Sequence, residues 1–256
     1  MPLVSSERRG RIALITLERP DRRNAVDRET AEALYAAVKA ADQEAHTDVI
    51  VLQGRGGHFC AGADLKALAS GAAPNRIERE GDKGPMGPTR LVTEKPVIAA
   101  IEGFAVAGGL ELALWADLRV AAKSAVLGVF CRRFGVPLVD LGAVRLPRLI
   151  GQSRALDLIL TGRAVSAEEA LAMGLVNRLA EDGGALDAAL ALAEEIARFP
   201  QLCLRHDRRL ALEQWDLPAD QIVPREVELG LATLRSGETQ DGAGRFLSGE
   251  GRHGGF

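Results

Sequence analysis

With 256 residues, 47% of them hydrophobic and 26% charged, the chain is long enough to bury one sizeable core, alone or with an appendage. Its 32 basic and 35 acidic residues leave a net charge of -3, and no basic block is long enough to suggest a nucleic-acid partner. Three widely spaced cysteines, Cys60, Cys131 and Cys203, make no disulfide framework and fit a reducing compartment, while His46, His58, His206 and His253 show no metal-ligand spacing. The opening P-L-V-S-S-E-R-R has no apolar stretch for export, and no run approaches the ~20 apolar residues of a membrane span. A soluble, cytoplasmic protein is expected, with neither a membrane nor a nucleic-acid partner.

Residues 2–18 read as a hairpin about Gly10, with apolar side chains alternating from Arg11 to Leu17. R-P-D-R-R-N-A at 19–25 is a turn by composition. From Asp27, a suitable N-cap, an alanine-rich amphipathic helix is predicted to about Ala45, with Glu32, Lys39 and Asp42 on its wet side. Val49–Leu52 is a short apolar run of the buried-strand type, followed by a glycine-rich loop that closes into a helix near Asp64. Residues 70–89, rich in Gly, Pro and charge, are expected to form a mobile surface segment or lid.

Pro96–Glu111 carries the strongest local signal. Val97–Ile101 is a strand buried on both faces, Gly103–Gly109 a flexible turn, and Leu110 the start of a helix. Such a turn leaves backbone N–H groups unpartnered at the helix N-terminus, where they favour negative charge. Glu111 falls beside them as an acid or base, or simply as a residue suited to the helix dipole. The same strand, small-residue turn and helix occur at Val49–Leu52 with Ala61–Asp64. Two such turns facing each other supply two backbone donors to one oxygen.

Further on, Leu118–Ala122 and Ala125–Gly128 read as strands, 130–140 as a loop, and 141–150 and 152–160 as helices. Ser166 and Glu169 form a capping-box pattern before a short helix ended by Gly174, and Val176–Leu179 is a strand. Beyond Glu181 only helices are predicted, at about 185–198, 201–214, 224–235 and 240–247. The chain is thus an α/β core over residues 1–180 and a helical region over 181–256, whose amphipathic helices must pack on the core or on another subunit.

Four stretches resemble the crotonase (enoyl-CoA hydratase/isomerase) superfamily: R-P-D-R-R-N-A at 19–25, F-C-A-G-A-D-L at 59–65, G-F-A-V-A-G-G-L-E-L-A at 103–113 and L-T-G-R-A-V-S-A-E-E-A-L-A-M-G-L-V-N at 160–177. They stand in the family's order and cover nearly the whole chain. The resemblance implies a spiral of ββα turns around two roughly perpendicular sheets, a C-terminal helical region for trimerisation, and a homotrimer or dimer of trimers. It implies an acyl-CoA thioester substrate, with coenzyme A entering as part of the substrate and no separate cofactor. Carried over, Ala63 and Gly108 give the two N–H donors to the thioester oxygen. The 19–25 turn with Arg22, Arg23 and Ala25, together with Ala61, Asp64 and Leu65, lines the groove for coenzyme A. Glu111 matches the first of the hydratases' two catalytic glutamates.

The second glutamate is absent; its position falls on Cys131, followed by Arg132 and Arg133. Three readings stay open. Asp140 serves as the second acid, or else caps the helix after it. Cys131 acts, or is inert, since no histidine is assigned to activate it. Or Glu111 works alone, as isomerase chemistry allows, or the reaction is not hydration. The expected activity is hydration of a 2-enoyl-CoA; the alternatives are another acyl-CoA reaction of the superfamily (isomerisation, hydrolysis or decarboxylation) and acyl-CoA binding without turnover. His58 is expected to face solvent and Trp115 to pack in the core. The G-x-G-x-x-G match at 249–254 lacks a following helix and is read as chance.

Overall fold

The structure is a computed structural model that describes residues 2–71 and 74–251. The hairpin forms as β1 (Val4–Arg9) and β2 (Ile12–Leu17), antiparallel with Val4 opposite Leu17. β3 (Val49–Gly54), β4 (Val97–Ile101), β6 (Leu118–Ala122) and β9 (Arg178–Ala180) extend the sheet in parallel, in the order β1-β2-β3-β4-β6-β9. Interior parallel strands are covered on both faces, which is why β2, β4 and the first four residues of β3 are buried without alternation and, Thr16 apart, apolar.

A second sheet orders β5 (Phe104–Val106), β7 (Val126–Gly128) and β8 (Val165–Ser166) as β5-β7-β8. β5 lies inside the stretch that composition marks as a plain glycine turn. Gly103, at φ +49°, lets the chain leave β4 and enter the second sheet almost at once. The following helix α3 (Gly108–Trp115) therefore starts two residues earlier than Leu110. All its residues but the first are buried, as an apolar helix between layers must be.

Asp27 caps α1 (Arg28–Gln43), accepting the Thr30 N–H at 3.0 Å. Leu34, Tyr35 and Val38 form the buried side of this helix, while Asp42 accepts the Lys95 N–H at 3.0 Å and so fixes the entry to β4. Asp64 caps α2 (Leu65–Ser70). The segment expected as a surface lid divides in two. Residues 76–83 are exposed, but 84–89 are buried, closed by reciprocal bonds between Gly84 and Gly87 of 2.8 and 2.9 Å. α4 (Gly142–Ile150), α5 (Gln152–Thr161) and α6 (Ala167–Ala172) follow; Ser166 caps α6, while Glu169 turns to Arg163 rather than completing a capping box.

The chain packs as two units, one up to Glu194 and one from Glu195. The boundary lies within α7 (Ala185–Ala197), later than the change of composition at 180, because α7 is fastened to the first unit: Glu102 takes the Ala185 N–H at 2.9 Å. The second unit holds α8 (Gln201–Glu213), α9 (Ala219–Ser236) and α10 (Glu238–Ser248). Glu238 caps α8 through the Leu202 and Cys203 amides at 3.0 and 2.9 Å, and His206 meets Thr233 at 2.8 Å. α9 begins five residues before the predicted start and carries Pro224 in its interior, at the loss of one backbone bond. Among the described residues no helix is long and apolar enough to cross a membrane. The glycine pattern at 249–254 extends beyond the described residues at 252.

Arg119 on β6 is 2% exposed and holds three elements together. Its guanidinium donates to Ala116 O at the end of α3 (2.7 Å) and to Leu175 O before β9 (2.8 Å), while its amide donates to Asn177 Oδ1 (2.9 Å). Removing the donors strands buried carbonyls. Arg119→Met is expected to lower unfolding free energy by about 2–5 kcal/mol. An unchanged urea midpoint would show that those carbonyls find other partners.

Candidate active site

Residues 59–63 form the floor of the site and are hydrogen-bonded along both edges. On one side Phe59 N donates to Glu102 O (2.8 Å), Cys60 N to Phe104 O (2.9 Å), and Val106 N returns to Cys60 O (3.1 Å). On the other, Ala61 N donates to Arg23 O (3.0 Å), Val26 N to Gly62 O (2.8 Å) and Asp64 N to Val26 O (3.0 Å). This pattern uses the neighbours of Ala63 and leaves its own N–H unengaged. Gly108, the first residue of α3, is likewise unengaged; among the described residues neither amide has a partner. The two turns touch: a Cβ on Gly62 would stand 2.8 Å from Gly108 N. Ala107 between them holds φ 54°, ψ −127°, a conformation an L-residue adopts only under strain. Ala63 and Gly108 both line one cavity of about 580 Å3.

Glu111 and Asp140 line the same cavity, each 2% exposed. Glu111 Oε1 accepts the Asp140 and Gly142 amides, both at 2.9 Å. Gly142 must be glycine for this, since a Cβ there would lie 2.7 Å from Glu111 Cγ and 2.8 Å from Oε1. Burial, then the nearby Asp140 charge, push the Glu111 carboxyl up to about 7 against the pull of those amides.

Asp140 is not a helix cap. The N-cap of α4 is Leu141, left-handed at φ 66°, with no side-chain cap. The Asp140 carboxylate turns the other way, to the Met86 N–H (2.9 Å) and the Thr89 hydroxyl. Burial raises its pKa, while Thr89, Met86, Arg90 and Arg145 oppose the rise. Glu111 Oε2 and Asp140 Oδ2 have no hydrogen-bond partner among the described residues.

Cys131 lies in the cavity wall, buried, and its thiol is pushed up by burial and by Glu111. His58 does not reach it: the imidazole stacks on Phe104 at 5.1 Å and its Nδ1 takes the Phe104 N–H. Burial and Glu111 thus disfavour the thiolate, the nucleophilic form. Arg132 and Arg133, unexpected after it, close the end of α5 by donating to Ile159 O (3.1 Å) and Gly162 O (2.9 Å). Arg133 also lies 3.8 Å above the Phe130 ring, fixing it in the cavity wall.

Of the predicted groove residues, Arg23, Ala61 and Leu65 line the cavity, and Arg22, Ala25 and Asp64 do not. Asp64 is buried in its cap of α2 and in ion pairs with Arg19 and Arg22, both at 2.9 Å. Arg19 also pairs with Asp27 at 2.9 Å and donates to the Ala25 carbonyl, so Ala25 lies buried over this cluster. Trp115 is in the core and donates to Leu91 O at 2.8 Å. Sequence reasoning missed Met86, Thr89, Phe130, Phe134, Gly142 and Arg145. Only Gly142, directly after Asp140 and Leu141, carried a signal, as a glycine at a predicted helix start.

A family model for enoyl-CoA hydratase/isomerase matches residues 7–249. The chain is 35% identical over 244 residues to enoyl-CoA hydratase EchA19 of Mycobacterium tuberculosis, covering 94% of this chain and 91% of that protein. It is 35% identical over 235 residues to carnitinyl-CoA dehydratase of Salmonella paratyphi A, covering 90% and 85%. The crystal structure of enoyl-CoA hydratase EchA1 from Mycobacterium marinum matches with a TM-score of 0.91 at 40% identity, covering 97% of this chain and 96% of that one. The chain belongs to the enoyl-CoA hydratase/isomerase family of the crotonase superfamily.

Glu111 makes folding depend on pH in a defined direction. Its folded pKa of about 7 exceeds the ordinary 4.5, so between those values the native state binds more protons than the unfolded chain. Stability from this group is lost as pH rises through that window. Glu111→Gln keeps the acceptor for both amides and removes the buried charge. Urea unfolding is expected to show the variant more stable than wild type at pH 8, with the gap closing towards pH 4.5. A gap of equal size at both pH values would contradict the raised pKa.

Proposed function

We propose that the protein is a hydro-lyase that adds water across the C2–C3 double bond of a 2-enoyl-CoA thioester. The observation that carries this reading is the presence of two buried carboxyls, Glu111 and Asp140, in the cavity onto which the free Ala63 and Gly108 amides open. The two amides donate to the thioester oxygen, where charge develops as the enolate forms. One such donor is typically worth ~10²–10³ in rate. Buried side by side, the carboxyls share one proton near neutral pH and titrate as a pair. The ionised member takes a proton from water as the water oxygen bonds to C3. The π electrons move to the thioester oxygen. The protonated member then delivers its proton to C2 and the carbonyl reforms. The pair ends with one proton, as it began.

The same groups run in reverse dehydrate a 3-hydroxyacyl-CoA. Cys131 takes no part. Arg23, Ala61 and Leu65 receive the coenzyme A portion of the substrate, with Arg22 held beside them by Asp64. Phe130, Phe134, Val136 and Pro137 face the acyl group. Exposed apolar side chains on the second unit, among them Trp215, Val223, Val227 and Leu234, support assembly as a homotrimer or dimer of trimers, and a cytoplasmic location belongs to the same reading.

Cys131 at the position of the family's second glutamate favours one rival, isomerisation by Glu111 alone. The two readings differ in the sign of a pH effect. A shared-proton pair loses its acid as Glu111 ionises, so kcat/KM for crotonyl-CoA hydration is expected to fall above about pH 7. A lone base would instead gain activity through the same range. Glu111→Gln and Asp140→Asn are each expected to reduce kcat by about 10²–10⁴ with thioester binding preserved. Hydration at the wild-type rate by either variant would sink the pair mechanism.

A further inference from the structure

Thr89 lies fully buried in the 3-10 turn Pro88–Arg90, and nothing in the reaction above uses it. Its hydroxyl donates to Asp140 Oδ1, the oxygen that also takes the Met86 N–H at 2.9 Å. A second link joins the same two residues. Arg145 of α4 donates from one guanidinium nitrogen to Thr89 O at 2.7 Å and from the other to Asp140 O at 3.0 Å. Gly84 closes the remaining side: a Cβ there would stand 1.9 Å from Thr89 Oγ1 and 2.5 Å from Asp140 Oδ1. The Asp140 carboxylate thus has one oxygen held by two donors with the Gly84 backbone close against it, and the other is left unpartnered.

We propose that Thr89 is a positioning residue for the reaction: with the Met86 amide it fixes Asp140 so that Oδ2 alone is presented to the water and the substrate. Thr89 has this role only if Asp140 works in the chemistry, as proposed above. A hydroxyl bonded to an ionised carboxylate is a strong, directional restraint, and it also favours the ionised form. The donors sit on the segment whose Pro85 and Met86 line the cavity, so substrate packed on that segment presses on the groups that aim Asp140. The other charged or titratable groups facing this point are Glu111 from α3, Arg145 from α4, Arg90 from the 3-10 turn and the buried Cys60 from the 59–63 stretch, with Cys131 across the cavity beside Glu111.

Thr89→Val preserves the shape and removes the donor. Its kcat for crotonyl-CoA hydration is expected to fall about 10- to 10²-fold with KM within about 2-fold of wild type. Asp140 then keeps its proton to higher pH, so the acid limb of the kcat/KM profile moves up by about one unit. Thr89→Ser restores the hydroxyl and recovers most of kcat. Placed in Asp140→Asn, Thr89→Val causes no further loss, because both changes act through one carboxylate. Thr89→Ala gives the same readout should the valine variant fail to fold. Wild-type kcat with an unmoved acid limb in the donor-free variant overturns the role, and so does an additive loss in the double variant. If Asp140→Asn alone hydrates at the wild-type rate, the carboxyl pair itself fails and the role of Thr89 falls with it.

Discussion

The site depends first on the approach of two stretches of main chain. Residues 59–63 lie between the 19–26 turn and β5, bonded to both, and α3 begins directly against them. Gly109 has no space for a side chain, since a Cβ would stand 2.1 Å from Cys60 O. This contact sets where the first turn of α3 starts, and therefore where Glu111 points one turn further on. The strained Ala107 is the local cost of making so abrupt a start after β5, and the surrounding backbone bonds hold it in place.

The second requirement is electrostatic. Two buried carboxyl groups repel each other and resist ionisation, yet each is given two donors on a single oxygen. The donors cross over: Glu111 is held by amides of the 140–142 segment, and Asp140 by the 86–89 segment. Neither acid is anchored by its own element. The charge on the pair is consequently tuned by the relative placement of α3, the 84–90 segment and the start of α4, with Arg145 bracing the last two.

Local signals in the sequence recovered what local physics decides. Asp27 caps α1, Gly10 turns the hairpin, and the β-branched runs at 49–52 and 97–101 form interior strands. The resemblance supplied Ala63, Gly108 and Glu111, and all three line one cavity. What stayed hidden was set by distant partners. Asp140 stayed open between a second acid and a helix cap, because an aspartate before a helix is often a cap. Its actual donors lie 54 and 51 residues back in the chain, in a glycine-rich stretch that composition marks as surface. Asp64 and Arg22 read as groove residues, but the carboxylate is committed to α2 and to Arg19 from 45 residues away. β5 was lost because three residues among glycines carry no periodicity to detect.

The crowded glycines have a consequence for how such a chain can change. Every replacement of Gly62, Gly109 or Gly142 adds a carbon where a backbone or carboxyl atom already stands. A side chain at Gly62 or Gly109 would meet backbone, and one at Gly142 would displace the Glu111 carboxyl, so substitution there is strongly disfavoured. The cavity wall is built differently: Phe134 and Ile77 are largely exposed and pack against few neighbours. Variation is therefore channelled to the rim. The floor that would grip the reacting oxygen stays fixed while the wall is free to drift towards acyl groups of other sizes and shapes.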